Sequence, residues 1–134
     1  MQLNAYLNFN GNCEAAFNFY VRQLGGKIAA MHSFADSPMA EQCSPDWRNK
    51  VMHAQLVLDG QILMGSDGMK PGDVTGMKGF SMSLNVKDIA EAESVFQALS
   101  ENATIQMPLQ QTFWAQRFGM LTDQFGTPWM VNCE

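Results

Sequence analysis

Few side chains in this sequence are of the types that carry acid, base or anion-binding chemistry. His53 is one of two histidines, and an imidazole that titrates near neutral pH can act as a general base or as a hydrogen-bond donor to a ligand. Alternatively, His53 is an interior histidine with a structural hydrogen bond and no role in catalysis or binding. Arg117 stands among apolar neighbours, where it either clamps an anionic group or forms an ion pair within the chain. His32 is predicted to be structural or exposed.

The three cysteines give little support to nucleophilic catalysis or to a zinc site. Cys13, Cys43 and Cys133 are odd in number and far apart, which argues against a disulfide framework and against a CxxC metal motif. Cys13 falls on the apolar stripe of a predicted helix and is expected in the core. Cys43 lies in a predicted loop, where a thiol can be exposed, but no adjacent histidine would activate it.

Composition restricts the classes of partner. The 134 residues carry a net charge of −5, and the 8 basic residues do not cluster, so nucleic acid and anionic membranes are poor partners. No apolar run approaches the roughly 18 residues that span a bilayer, and the first residues lack the basic and apolar regions of a signal peptide. We therefore expect a cytoplasmic protein of a single domain.

The elements that must position these side chains recur along the chain. A shift of 77 residues aligns Leu7 with Leu84, Asn8 with Asn85 and Phe19 with Phe96. Each half begins with a short strand and an amphipathic helix. Asn12 is the predicted N-cap of the first helix and Gly25-Gly26 its stop. Asp88 and Glu91 have the spacing of a capping box at the second.

Three strands are predicted after each helix. Residues 27–34, 51–58 and 61–66 follow the first, with an Asp59-Gly60 hairpin turn, and residues 104–107, 115–122 and 128–133 follow the second. Residues 35–50 are predicted to be a loop. The sequence thus predicts an α+β domain of two pseudo-symmetric βαβββ modules, 1–67 and 80–134, joined by a linker at 68–79. Their curved sheets are expected to surround a shared cleft, with the helices outside.

Alternation of apolar and polar residues assigns the side chains of each predicted strand to two faces. The apolar face should meet the helices, which leaves the polar side chains to line the concave side. The side chains expected to meet a ligand are Asn4, Tyr6, His53, Gln55, Ser81 and Ser83. Trp114 and Trp129 either stack on that ligand or fill the core.

The arrangement resembles the vicinal oxygen chelate superfamily, which includes glyoxalase I, bleomycin resistance proteins, fosfomycin-modifying enzymes and extradiol dioxygenases. Within it, the chain is similar to the PhnB-like group. The resemblance spans the whole chain and rests on the segments YLNFNGNCEAA at 6–16, MHA at 52–54, SLNV at 83–86, QTFW at 111–114, RFGM at 117–120 and DQFGTPWM at 123–130.

The resemblance also implies where a metal would bind. Metal-dependent members use His and Glu from the first and last strands of each module, and those positions correspond here to Asn4, Met64, Ser81 and Met130. These are poor donors for a divalent ion, so we expect no metal at the inherited positions and no cofactor. Some relatives carry a ubiquinone-pathway methyltransferase label, but no GxGxxG turn is present to hold an adenosyl group.

Three functions remain open at this stage. The first is a homodimer that binds a small, partly aromatic or apolar molecule in a metal-free cleft. The second is an enzyme that uses His53 as acid or base and Arg117 or polar groups to orient an oxygenated substrate, or one with glyoxalase- or thiol-transferase-type activity at a non-inherited metal site. The third is a regulatory or structural dimer with vestigial clefts. Dimerisation is implied by the resemblance.

Overall fold

The first half of the chain forms a four-stranded sheet with one helix packed on one face. The computed structural model describes residues 1–134, and this unit spans Met1–Gly76. Its elements are β1 (Tyr6–Phe9), α1 (Cys13–Leu24), β2 (Lys27–Ser33), β3 (Val51–Leu58) and β4 (Gln61–Asp67). The strand order is β1-β4-β3-β2, with β1 parallel to β4 and the other neighbours antiparallel. Helix α1 packs on β2, β3 and β4.

The second unit, Met77–Glu134, repeats the same element order. Its elements are β5 (Met82–Asn85), α2 (Ile89–Leu99), β6 (Thr104–Gln110), β7 (Arg117–Thr122) and β8 (Pro128–Cys133). The strand order is β5-β8-β7-β6, again with a parallel pair at one edge. Helix α2 packs on β7 and β8. The predicted α+β class and paired βαβββ plan are thus confirmed. Neither helix is long and apolar enough to cross a membrane.

Local sequence signals account for the helix ends, with one correction. Gly25 has a φ of 94° and its N–H donates to the carbonyl of Val21, so α1 stops where the glycine pair predicts. The Asp88 side chain accepts from the N–H of Glu91 at 2.8 Å and caps α2, as predicted. Asn12 occupies the N-cap of α1, but its side chain makes no capping bond. A distant carboxylate, described below, takes that role.

Two strand bounds differ from the prediction for physical reasons. Strand β6 continues to Gln110, past Pro108, although a proline normally argues against a strand. Because β6 lies at the edge of its sheet, the missing N–H of Pro108 need not break a ladder. Strand β7 begins at Arg117, later than predicted, because Ala115 and Thr112 bond to each other in a turn before it.

The segment 35–50 is more ordered than the predicted loop. It contains two short 3-10 turns and contributes to a small apolar cluster built on Phe34, Cys43 and Trp47. The indole N–H of Trp47 donates to the carbonyl of Gly68 at 2.7 Å. Cys43 is therefore buried, and its thiol is not available at a surface.

Candidate functional site

The helix-free face of the first sheet carries a group of polar side chains. On β1, Leu7 and Phe9 are buried under α1, whereas Tyr6 alternates to the other face and is 43% exposed. On β3, His53 and Gln55 are half-buried on either side of buried Ala54. The pleat therefore places the three polar residues predicted from alternation on one face.

Tyr6 and His53 contact each other across that face. The phenolic oxygen of Tyr6 lies 3.1 Å from Nδ1 of His53, and the two rings stack with centroids 5.8 Å apart at 28°. The side chains reach across β4, which lies between their two strands. The Tyr6 contact fixes the orientation of the imidazole and leaves Nε2 of His53 without a hydrogen bond in the chain.

The helix-free face of the second sheet combines amides with aromatic rings. Ser83 and Asn85 are exposed on β5, and Asn132 lies beside Asn85 on β8. The amide of Asn132 donates to Oδ1 of Asn85 at 3.3 Å, while its own Oδ1 is buried without a hydrogen-bond partner. A buried amide oxygen with no donor is costly, so this face has an unfilled acceptor.

Three aromatic rings pack on one another in a row that begins at the strand position next to Asn132. Phe118 is the register partner of Asn132. The ring of Trp114 packs on Phe118 with centroids 5.2 Å apart, and Phe113 packs on Trp114 at 4.8 Å. Trp114 is 47% exposed and Phe113 is 98% exposed. An apolar plate of this kind beside a polar anchor is typical of small-molecule sites.

The two tryptophan candidates have different environments. Trp129 is only 3% exposed and lies on the helix side of β8, where its indole N–H donates to the Asp123 carboxylate at 2.8 Å. It fills the core, the alternative that the sequence left open, and it does not reach the face that carries Ser83. Trp114 is the tryptophan that remains available to a ligand.

Arg117 also lies away from the polar face. It is paired with buried Cys133 in the β-ladder, and its Nε is 3.9 Å from Oε1 of Glu93 on α2. Its guanidinium also donates to the carbonyl of Gln116. The structure therefore has the ion pair within the chain. Such an exposed pair contributes little free energy.

Asn4 and Ser81 lie outside the alternating strands. Both precede the strands on which they were expected, because β1 begins at Tyr6 and β5 at Met82. The fully exposed side chain of Leu3 shows that the predicted apolar face does not continue there. The Asn4 amide bonds only to the neighbouring Gln2 side chain, at 3.5 Å.

The positions that correspond to the superfamily's metal ligands do not fit a divalent ion. Met64 lies beside Tyr6, and Met130 beside Ser83, on the helix-free faces of their sheets. Thioether, amide and hydroxyl groups are weak donors for such ions. No group of three or more His, Cys, Asp or Glu residues is placed to hold a metal.

Asp67, which no sequence pattern singled out, has a carboxylate that is 4% exposed at the end of β4. One oxygen accepts from the N–H groups of Gly11 and Cys13, at 2.8 and 3.1 Å, and the other accepts from Val51 at 2.9 Å. Asp67 thereby caps α1 in place of Asn12. The only sequence signal was a single acidic residue directly after an apolar strand, which also reads as the start of a linker.

The thiol of Cys13 is not poised as a nucleophile. Burial raises its pKa well above the usual range, and the nearby carboxylates of Asp67 and Glu14 raise it further. The group therefore stays protonated at neutral pH, which agrees with its predicted place in the core.

Comparison with known proteins identifies the family. A family model described as 3-demethylubiquinone-9 3-methyltransferase matches residues 1–132. Protein YjdN of Escherichia coli K12 is 37% identical, over 98% of this chain and 95% of that protein. The crystal structure of PA1353 from Pseudomonas aeruginosa is 51% identical, covers 100% of this chain and 98% of its own, and superimposes with a TM-score of 0.91.

Two more distant structures share the fold. A putative 3-demethylubiquinone-9 3-methyltransferase, PhnB protein, from Bacillus cereus is 24% identical with full coverage of both chains (100% each) and a TM-score of 0.84. The fosfomycin resistance protein FosX from Listeria monocytogenes is 7% identical, covers 100% of this chain and 93% of its own, and has a TM-score of 0.68. The chain therefore belongs to the PhnB-like family, whose model is described as 3-demethylubiquinone-9 3-methyltransferase, and it shares the fold of the more distant FosX structure.

Proposed function

We propose that this chain binds a small organic molecule on the helix-free face of a sheet, without a metal at the positions inherited from the superfamily. The observation that carries the proposal is the exposed ring of Trp114, packed on Phe118 beside the unpartnered amide oxygen of Asn132. A planar ligand with an N–H or O–H donor would stack on the indole and supply the missing hydrogen bond once the rings shift to admit it.

The polar set of the first unit is a separate candidate site, and it favours a ligand that carries oxygen atoms. The Tyr6 hydroxyl and the His53 imidazole are in hydrogen-bond contact, and the Gln55 amide offers a further donor and acceptor on the same face, two residues along β3 from His53. In a second candidate function, His53 acts as acid or base on such a ligand. The specific observation in its favour is the Tyr6 hydrogen bond, which orients the imidazole as a catalytic base requires.

The family's description names a methyltransferase, but the turns of this chain do not fit an adenosyl cofactor. Such a cofactor needs several glycines between a strand and the following helix. The turn between β1 and α1 has one, Gly11, against which the ring of Trp47 is packed 2.9 Å from where a Cβ would lie. The turn between β5 and α2 has none. We therefore do not propose that this chain transfers a methyl group.

The test is a binding screen with planar compounds that carry N–H or O–H donors, read by calorimetry so that no tryptophan serves as the reporter. Trp114→Ala should weaken a hit roughly threefold to tenfold, the loss of one aromatic contact. Phe80→Ala is the matched control because Phe80 is an exposed aromatic residue of the same unit outside the aromatic cluster. A hit weakened equally by both substitutions, or no hit at all, would contradict the proposal.

The enzymatic alternative needs a separate measurement. Each hit is incubated with wild-type protein and with His53→Ala, and products are followed by mass spectrometry. Turnover that disappears in His53→Ala while affinity is retained would establish an acid–base role. Binding without turnover in the wild type would leave the protein a binding module.

We also propose that the chain forms a homodimer. Several large apolar side chains are exposed, among them Leu3 and Ile105, and their burial between two copies would be favourable. Sedimentation equilibrium should give twice the chain mass of 14.9 kDa. A monomer throughout the micromolar range would refute this part of the proposal.

A further inference from the structure

An irregularity in β2 determines where the second histidine lies. Ile28 pairs with Leu56 and Ala30 with Gln55, so Ala29 is an extra residue without a partner. Such a bulge shifts the alternation of every residue that follows it. Without the bulge, His32 would share the face of Ile28 and point toward the helix side. With it, His32 lies on the helix-free face.

As a result, the chain's only two histidines form one cross-strand pair. His32 of β2 is the direct register partner of His53 of β3, on the face that also carries Tyr6. Directly opposed residues of an antiparallel pair have Cβ atoms about 4.5–5.5 Å apart. Two imidazoles whose Cβ atoms are this close can bind one ion together. His32 is exposed and β2 is an edge strand, so solvent reaches the pair.

The contact with Tyr6 prepares His53 for this role. In metal sites, a ligating imidazole usually gives its other ring N–H to an oxygen, which fixes the tautomer and the ring orientation. The phenolic oxygen of Tyr6 at 3.1 Å from Nδ1 can accept that N–H. Nε2 then carries the free lone pair, and it has no other hydrogen bond in the chain.

We propose that His32 and His53 chelate a divalent transition-metal ion through their imidazoles, with Tyr6 as the positioning residue for His53. Imidazole suits copper, nickel and zinc ions, and the net charge of −5 favours cations in general. The site lies on β2 and β3, whereas the superfamily's ligand positions in this unit are Asn4 and Met64. Two protein ligands leave the remaining coordination positions to water.

The experiment uses tag-free full-length protein and Cu²⁺ alone, so its outcome is independent of the organic ligand proposed above. Calorimetry gives the affinity and electron paramagnetic resonance reports the number of coordinated imidazole nitrogens. We expect one ion per chain with two nitrogens. His32→Ala and His53→Ala should each leave one nitrogen and weaken binding at least about tenfold, and Tyr6→Phe should weaken it by a similar factor.

Asn8→Ala is the matched control, since Asn8 is an exposed polar residue on the same face of β1. It should leave the affinity unchanged. Because His32 is exposed on an edge strand, His32→Ala should fold even if another variant does not. A wild-type spectrum with one imidazole nitrogen, or a wild-type affinity no higher than that of His32→Ala, would overturn the proposal. Equal weakening by Asn8→Ala would do the same.

Discussion

Asp67 is predicted to be the most sensitive polar residue of the first unit. Its carboxylate joins three separate parts of the chain: the turn before α1 through Gly11, the first residue of α1 through Cys13, and the start of β3 through Val51. The carboxylate is nearly excluded from solvent. The three N–H groups would therefore lose their acceptor in a place that water reaches poorly.

The expected losses follow from that geometry. An unsatisfied buried N–H costs about 1–3 kcal/mol, so Asp67→Ala should lower the free energy of unfolding by roughly 3–5 kcal/mol after some water enters the space. Asp67→Asn keeps one acceptor oxygen but turns an NH₂ group toward a backbone donor, at a cost of about 2 kcal/mol. With a urea m value near 2 kcal/mol/M, the Asn variant should unfold about 1 M earlier.

Urea unfolding followed by circular dichroism measures both values. The control is Asp73→Asn, because Asp73 also accepts a backbone N–H, from Met69 at 3.0 Å, but does so while exposed. That variant should shift the midpoint by less than about 0.25 M, equivalent to roughly 0.5 kcal/mol. Equal midpoints for wild type and Asp67→Asn would show that burial of this carboxylate does not bear on stability.

Three further predictions concern the packed side of the sheets. The pKa of the Cys13 thiol is raised in the folded state. The free energy of unfolding should therefore be independent of this group below its unfolded pKa of about 8.5 and should fall by about 1.4 kcal/mol per pH unit above it. Urea titrations at several pH values should show a weaker fall of the free energy of unfolding with pH for Cys13→Ala, and the same fall in both proteins would contradict this. Gly65→Ala should cost about 1–3 kcal/mol in urea unfolding, since its added Cβ would lie 2.9 Å from a phenylalanine ring of α1; an unchanged midpoint would mean that the helix yields freely. Trp129→Phe should lower the free energy of unfolding by about 1–3 kcal/mol, and with it the melting temperature, because the Asp123 carboxylate loses one hydrogen-bond donor. Trp114→Phe should leave the melting temperature unchanged. Equal melting temperatures for the two variants would refute the distinction between the two tryptophans.

The fold could be predicted well from the sequence because the spacing of apolar residues shows which side of a strand or helix is buried. The alternation in β3 and β8 and the apolar stripes of both helices gave the correct elements, since each of them packs one face against another element. The Asp59-Gly60 turn was also correct, and both residues adopt the positive φ angles that such a hairpin needs.

The repeat was detected with a small error for a related reason. By their faces, β1 and β5 correspond with a shift of 77, since Tyr6 pairs with Met64 and Ser83 with Met130 on the helix-free sides. The first residues of α1 and α2, Cys13 and Ile89, differ by 76. The shift of 77 also aligns Ala15 with Ala92, which joins an exposed residue to a buried one, whereas the buried counterpart of Ala92 is Ala16. Matching residue types between the two halves do not reveal that the connection from strand to helix is one residue shorter in the second half. The pattern of buried residues does reveal it.

The candidate site was less predictable because its contacts join residues that no local pattern connects. Alternation placed Tyr6, His53 and Gln55 on one face, but the bond between Tyr6 and His53 joins residues 47 positions apart. The face of His32 depends on a single extra residue in β2, and no glycine or proline marks that bulge.

The two units use the same device on their packed faces and different chemistry on their helix-free faces. In each, a strand glycine lies directly under a helix phenylalanine: Gly65 under Phe17, and Gly119 under Phe96, with gaps of 2.9 and 2.7 Å from the would-be Cβ. A side chain at either position would push the helix away from its sheet, so packing restricts this strand position to glycine in both units. The helix-free faces carry no such restriction. One presents imidazole and phenol groups and the other amides and aromatic rings, which is why the pattern that reveals the fold so clearly says little about the ligand.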